Sequence, residues 1–351
     1  MALASLQIDS LRCLELARLE LAPRLTVIHG ENGSGKTSLL EAIFVVGRGR
    51  SFRTRFTERL IRSGSTRLQL FAETVDPVHR IGFQYDKAGR HEVRLDGRTP
   101  STLAELPSAF FVEVIDPDIH RLVEGAPTER RRWLDWGVFH VEPAFLGHWT
   151  RYTRALRQRN AALKAGQDPR PWDGELITHG TAIDGQRRAW LESLLPHWQR
   201  AIERLVGRPV ALGYRAGWSQ EVSLAEALEV GLERDRQRGS TGDGPHRADI
   251  ALRIGTASAR EVLSRGQQKL TAAALVLSLL QRLRAEQLTL PTLLLDDPAA
   301  ELDAMRLDAF VTAVRELDCQ IVLTSLTPDA SSFGAPERVF HVERGRVQEV
   351  Y

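Results

Sequence analysis

Cysteine is scarce in this sequence of 351 residues: Cys13 and Cys319 are the only two, each alone in an apolar or mixed segment. Neither a zinc site nor a disulfide framework can be built from them, and buried structural roles are expected for both. A membrane-spanning run is also missing. The longest apolar stretch, Leu270 to Leu280, is too short to cross a bilayer, and the N-terminus lacks the charged-then-apolar pattern of a secretion signal. A cytoplasmic location with no membrane partner is expected. Lysine is nearly absent. Lys36, Lys87, Lys164 and Lys269 are the only lysines among 47 basic residues, and all the others are arginine. Arginine forks suit phosphate contacts, although a GC-rich gene gives the same bias. Internal repeats, low-complexity tracts and long heptad arrays are not found.

What is present is ordinary globular composition, 42% hydrophobic and 26% charged, so a packed core is expected. The length allows two domains, or one domain with a large insertion. The net charge of +2 does not by itself announce a nucleic-acid binder. Leu3 to Ile8, Leu14 to Leu21 and Leu25 to Ile28 are short apolar runs that read as strands. Residues 68–95 alternate, with turn signals at Asp76-Pro77, Lys87-Ala88-Gly89 and Asp96-Gly97, and read as an antiparallel meander. The texture changes near Glu113. Two long helices, roughly Pro143 to Ala165 and Gly174 to Leu205, are expected to pair antiparallel. Strands are then expected near Val210 to Tyr214, Ile250 to Ile254, Thr292 to Leu295 and Gln320 to Thr324, with a closing hairpin from Val339 to Val350. His246-Arg247 follow a glycine-rich joint, which reads either as a hinge or as a link between lobe position and nucleotide state.

The chemistry is concentrated in three segments. Gly30-Glu31-Asn32-Gly33-Ser34-Gly35-Lys36-Thr37 fits the phosphate-binding P-loop in full, between a buried strand and an amphipathic helix. Glycines let backbone N–H groups turn toward phosphates. Lys36 brings a point charge to the β and γ phosphates, and Thr37 offers a hydroxyl to Mg²⁺. Ser38 completes the ATP-binding set. Thr292 to Asp297 is an apolar strand ending in two carboxylates. Asp296 is expected to hold Mg²⁺, and Asp297 to orient or deprotonate the attacking water, which makes Lys36 and Asp297 the catalytic pair. Ser264 to Lys269 opens a long apolar helix and is a second anion site at a helix N-terminus.

Standing ahead of the acidic strand end, Ser264, Gly266, Gln267 and Lys269 resemble the signature motif of ABC-type ATPases. Ala300-Glu301-Leu302-Asp303 resembles their D-loop, with Asp303 its acid, and Thr324 stands where transporters keep a γ-phosphate switch histidine. That resemblance implies a homodimer sandwiching two ATPs, the signature of one protomer facing the phosphates of the other. The distance from Thr37 to Ser264 is longer than transporter domains use and far shorter than SMC coiled-coil arms need.

Nearly end to end, the sequence is similar to the RecF family. The resemblance rests on the P-loop with Leu40-Glu41-Ala42-Ile43, Gly47 to Arg53, Gly125-Ala126-Pro127, Arg130 to Trp136, Arg159 to Leu163, Gly244 to Asp249, the signature, and Asp296-Asp297 with Glu301-Leu302-Asp303. Ala300 departs from it, since the family often has serine there, which weakens any hydroxyl contact across the dimer. The resemblance implies an α/β fold: an ABC-type P-loop ATPase head, mixed sheet plus antiparallel β meander, with an inserted helical lobe. The expected division is 1–112 and 243–351 for the head and 113–242 for the lobe. It further implies a slow, DNA-stimulated ATPase whose hydrolysis resets a dimer. Such a clamp acts at single-stranded/double-stranded gap junctions with RecO and RecR, helping to load RecA on SSB-coated DNA in replication recovery and SOS induction. The rival is an ABC-type subunit coupling ATP to a membrane or ribosomal partner; the long helical insertion and single P-loop argue against it. For DNA itself the residues offer Arg48, Arg50, Arg53, Arg55, Arg59 and Arg62 with Phe52 and Phe56 interleaved, and the row Arg151, Arg154, Arg157. Arg50, Arg53 and Arg55 are the candidate DNA contacts.

Overall fold

The computed structural model describes residues 2–286, 291–300 and 302–350. The chain forms two compact units, Met1–Ile119 with Leu280–Tyr351, and His120–Leu279. The first contributes β1 (Ala2–Leu11), β2 (Leu14–Glu20), β3 (Leu25–His29), α1 (Lys36–Arg48), β4 (Arg67–Val75), β5 (Arg80–Asp86), β6 (His91–Leu95), α2 (Glu105–Ala109) and β7 (Val112–Ile115). The second contributes α3 (Arg121–Glu124), α4 (Pro127–Val141), α5 (Phe145–Lys164), α6 (Asp173–Val206), β8 (Ala211–Arg215), α7 (Leu224–Val230), α8 (Leu232–Arg238), β9 (Asp249–Ile254), β10 (Ala257–Ser258) and α9 (Ala259–Val262). The boundary between units falls within α10 (Arg265–Ala285), after which β11 (Thr292–Asp296), α11 (Ala304–Arg315), β12 (Ile321–Ser325), β13 (Arg338–Glu343) and β14 (Arg346–Glu349) return to the first unit.

Two sheets build the first unit. The meander β4-β5-β6 is present and is extended by β1 and β2, giving the antiparallel order β2-β1-β4-β5-β6. Its strands alternate, Leu68, Leu70 and Ala72 pointing inward, as a sheet with one wet face requires. The second sheet runs β14-β13-β3-β12-β11-β7, parallel except for β14. Its strands β3, β11 and β12 are apolar almost throughout because they are covered on both faces. Helix α1 shares one core cluster with both sheets, Leu39 to Val46 being buried beside Leu6, Leu68 and Phe83 of the meander and Ile28, Val112 and Leu294 of the parallel sheet. Gln320 ties these layers together. Its amide donates to the carbonyls of Leu3 (2.8 Å) and Ala22 (2.7 Å), and its Oε1 accepts from Leu3 N (2.8 Å) and Thr292 Oγ1 (2.6 Å).

The expected head–lobe boundaries are corrected on both sides. Residues 113–115 are not the start of the lobe, because they lie in β7, whose parallel pairing with β11 makes it the edge of the central sheet. A strand this short leaves no periodic signal. The segment after residue 242 stays with the second unit because β9 pairs with β8, a contact invisible to local pattern.

In the second unit α5 and α6 form the expected antiparallel pair. Going back along α5, Arg159 meets Asp173, and His148 meets His179 further along α6. Buried arginines hold the surrounding segments. Arg187 binds Asp135 and the carbonyl of Pro245, and Arg130 binds Asp249 bidentately at 2.8 and 3.1 Å. The three arginines 151, 154 and 157 lie on the exposed face of α5.

His246 is enclosed between two hydrogen-bond partners. Nε2 donates to the carbonyl of Thr241 (3.1 Å), so Nδ1 accepts from Tyr152 O–H (2.7 Å). Burial, reinforced by Arg247 and Arg131 and opposed by Thr241 and Asp235, lowers its pKa to about 4. A depressed folded-state pKa means that protons bind the unfolded chain better. Stability is therefore full above pH ~6.5, falls as pH drops toward ~4, and loses about 3 kcal/mol across that window. Urea midpoints followed from pH 7.5 to 4 should show this slope, and His246→Gln should flatten it. An acid limb as steep in that variant as in the wild type would refute the assignment.

Candidate functional site

The P-loop leaves the C-terminal end of β3, where β12 and β13 flank it: His29 lies opposite Ser325 on one side and His341 on the other. This is the edge at which parallel α/β sheets bind ligands. Gly30 and Gly35 take φ of 153° and 122°, and neither could carry a side chain. A Cβ on Gly30 would lie 2.2 Å from the carbonyl of Val342, and one on Gly35 2.9 Å from Cys13 Sγ. The β13–β14 turn closes the loop from outside, Gly345 N donating to Ser34 O at 2.8 Å. Cys13, expected to be buried, is exposed in the β1–β2 turn against this loop, because the turn rather than a strand carries it. Ser34 Oγ is buried without a hydrogen-bond partner, an orphan that a bound anion would satisfy.

Lys36, the first residue of α1, donates from Nζ to the carbonyls of Gly30 (2.6 Å) and Glu31 (2.9 Å). Burial lowers its pKa, with Asp297 and Asp296 pulling the other way. Thr37 Oγ1 donates to both carboxylate oxygens of Asp296 at 3.0 Å. Thr324, fully buried, donates from Oγ1 to Asp296 Oδ1 (2.7 Å) and accepts from the amide of Asp297 (3.0 Å). Asp297 adopts φ of 47°, the left-handed region that non-glycine residues enter at a cost of about 1–2 kcal/mol. Such strain persists where its surroundings over-determine it, and it collects at functional sites. Lys36, Thr37, Asp296, Asp297 and Thr324 are thus brought together, and Thr324 lies beneath the acids as their common support. Glu31, Asn32 and Gly33 line the exposed lip of the loop, while Ser38 is buried behind it.

The remaining candidates have definite local settings. Ser264 is exposed and caps α10 reciprocally with Gln267: Gln267 N reaches Ser264 Oγ at 3.4 Å, and Ser264 N donates to Gln267 Oε1 at 3.1 Å. Gly266 is half-buried in the first turn, and Lys269 is buried. Asp303 is exposed and caps α11, accepting from Arg306 N at 2.9 Å; Glu301 lies outside the described residues. In the arginine cluster, Arg48, Arg53 and Arg62 face Glu113, Glu41 and Glu15. Arg55 and Arg59 each lie over the Phe56 ring, at 4.9 and 4.7 Å, whereas Phe52 packs inward on Phe44. Arg50 is exposed.

Comparison with known proteins agrees with this geometry. The family model described as RecF/RecN/SMC N terminal domain matches residues 2–348. The DNA replication and repair protein RecF of Azotobacter vinelandii is 38% identical over 366 residues, spanning 100% of this chain and 99% of that protein. Its counterpart in Pseudomonas fluorescens is 37% identical over the same span. The chain belongs to the RecF family. A solved structure of the recombination mediator protein RecF-ATP superposes with a TM-score of 0.89 at 24% identity, covering 100% of this chain and 98% of that one. An SMC head bound to the C-winged helix domain of ScpA gives 0.61 at 16% identity, covering 100% and 98%. The RecF-family chain accordingly has the mixed α/β ATPase head fold that RecF and SMC proteins share.

Glu41 is the site residue that sequence reading left without a role. It is fully buried on α1, one turn beyond Thr37, and accepts from Arg12 Nε and Nη2 at 2.9 and 2.8 Å and from Ser51 Oγ at 2.5 Å. It thereby fastens the β1–β2 turn and the arginine loop to the P-loop helix of this RecF-family head. A carboxylate amid Leu39, Leu40, Ala42 and Ile43 was the available signal, since a buried charge requires a partner.

Proposed function

We propose that this chain binds ATP with Mg²⁺ in the Gly30–Ser38 cradle and acts as an ATP-dependent DNA clamp in recombinational repair. The observation that carries the reading is the hydrogen-bonded group Thr37, Asp296, Thr324 and Asp297 at the mouth of the P-loop. Backbone amides of the loop and the Ser34 hydroxyl take the phosphates, and Lys36 leaves the Gly30 and Glu31 carbonyls to meet the β and γ oxygens. Thr37 Oγ1 and an Asp296 oxygen are the protein ligands for Mg²⁺, which neutralises phosphate charge when bound. Asp297, its backbone fixed by Thr324, orients the attacking water and accepts its proton. Hydrolysis is slow and DNA-stimulated, and it resets a dimer.

Ser264, Gly266, Gln267 and Lys269 of one protomer complete the site of its partner, the exposed N-terminus of α10 meeting the γ-phosphate, with Asp303 linking the two sites. Support comes from the names of the relatives, DNA replication and repair protein RecF, and from solved structures of the recombination mediator protein RecF-ATPrS and RecF-ATP in the RecFOR pathway. In this reading the chain works in the cytoplasm at gap junctions with RecO and RecR, so that RecA is loaded on SSB-coated DNA. Sedimentation with ATP, ADP and no nucleotide, with and without gapped DNA, tests it. Dimers only with ATP, and faster turnover with DNA, are expected. A monomer at saturating ATP would remove the shared site, and turnover indifferent to DNA would remove the clamp.

A further inference from the structure

A cavity of about 520 Å³ opens in the second unit between the end of β8 and the turn before β9, walled by Arg215, Trp218, Gln220 and Arg247, with Pro127 at the N-terminus of α4 on its rim. Its geometry is fixed by backbone contact. Gly217 has φ of 93° and its Cβ position is 2.3 Å from the carbonyl of Gly244, so the 216–218 loop is pressed against the 244–248 turn. Gly244 N donates to Gly217 O at 3.2 Å. Trp218 and Arg247 are therefore held on one rim.

The charge is not balanced locally. Several arginines here face a carboxylate, but the exposed Arg215 guanidinium has no ion pair or hydrogen bond among the described residues, and there the Arg247 guanidinium donates to the carbonyl of Thr241 at 3.3 Å and to no carboxylate. The acid in the wall, Asp249, is already neutralised by the bidentate Arg130. Trp218 is half-buried and makes no ring contact among the described residues. Two guanidinium groups with no carboxylate partner among the described residues, an indole unstacked among them, and the Gln220 carboxamide, which accepts from Arg188 Nη1 at 3.5 Å, form a cationic slot with an aromatic wall. That combination suits a phosphorylated aromatic ligand: phosphate on the arginines, a base face on the indole. The volume lies in the range of small-molecule sites.

We infer that this pocket receives one unpaired nucleotide of a DNA strand, its base stacked on Trp218 and its phosphate held by Arg215 and Arg247. The inference rests on the DNA-clamp reading and adds to it a contact in the second unit that is separate from the arginine cluster after α1. Free mononucleotide offers the same chemistry and is an arm of the test.

A gapped duplex carrying one 2-aminopurine in its unpaired tract is titrated with the full chain and ATP. Stacking on the indole should quench the fluorescence. Trp218→Ala should abolish the quench and weaken gapped-DNA binding about 10-fold, while blunt duplex binding and basal ATP turnover hold. Trp218→Phe, which keeps a ring, should retain partial quench, separating stacking from misfolding. Arg215→Ala/Arg247→Ala should reduce the salt dependence of binding by about two ions. Unchanged quench in Trp218→Ala overturns the pocket while leaving the clamp intact. Wild-type chain that binds no DNA at all fails the clamp reading instead, and the pocket with it. Binding of free dAMP, lost in Trp218→Ala and tighter than strand binding, would assign the slot to a mononucleotide and overturn the strand.

Discussion

Lys36→Ala is expected to lower ATP turnover by about 10²–10³-fold, the usual cost of deleting one preorganised charge that faces a developing transition state. The structure gives the reason in its hydrogen bonds. The ammonium is parked on the carbonyls of Gly30 and Glu31, inside the loop and close enough to Asp296 and Asp297 to feel both. No other lysine lies near the loop in sequence, Lys87 being the next in the chain. Lys36→Arg is the sharper variant. It keeps the charge but replaces a compact ammonium with a planar fork, so some ATP binding should survive while hydrolysis is lost. Single-turnover phosphate release, set beside equilibrium binding of a fluorescent ATP analogue, separates the two effects. Full turnover by Lys36→Arg would contradict the assigned role.

Arg159→Ala should strongly destabilise the second unit. The guanidinium is fully buried, with Nε on Asp173 (2.7 Å) and Nη1 shared between Asp235 (2.7 Å) and Thr241 (2.9 Å). Asp235 is itself buried and also receives the amide of Gly242 at 2.9 Å. Removing the cation leaves that carboxylate enclosed and uncompensated, at a cost of about 3–5 kcal/mol. The damage should be local to the segment from Leu232 to Arg247, which limited proteolysis would detect as new cleavage. Arg159→Met combined with Asp235→Leu should recover part of the loss, because the penalty comes from the stranded charge rather than from the missing bond. A urea midpoint for Arg159→Ala within error of the wild type would refute this.

Much of the head was legible because its signals are local. A charge-free strand at residues 25–28, a glycine-rich turn and Lys36 occupy consecutive positions, and the two acids end the next apolar strand but one of that sheet. The long helices α5 and α6 were legible from length and period. What escaped was non-local. β7 is four residues long and owes its existence to β11 beside it. Pairing of β8 with β9 joins residues on either side of two helices. The arginines show the same limit. Arg151, Arg154 and Arg157 recur regularly and face water, whereas Arg159, on the same helix, falls on the buried line with Tyr152 and Ala155. Only knowledge of Asp173 and Asp235 reveals that its charge is welcome there. In the cluster after α1, Arg53, Arg48 and Arg62 each have a carboxylate nearby, Glu41, Glu113 and Glu15, that no local pattern announced.

Thr324 gives the two acids of the nucleotide site a shared anchor. One hydroxyl oxygen serves a carboxylate with its proton and a main-chain amide with its lone pair, so the Asp296 carboxylate, which Thr37 also holds, and the backbone of Asp297 share one anchor. The two acids therefore form one mechanical part. Any shift of β12 along the sheet would carry both together, so the proposed roles of Asp296 in holding metal and of Asp297 in aligning water would rise or fall in step.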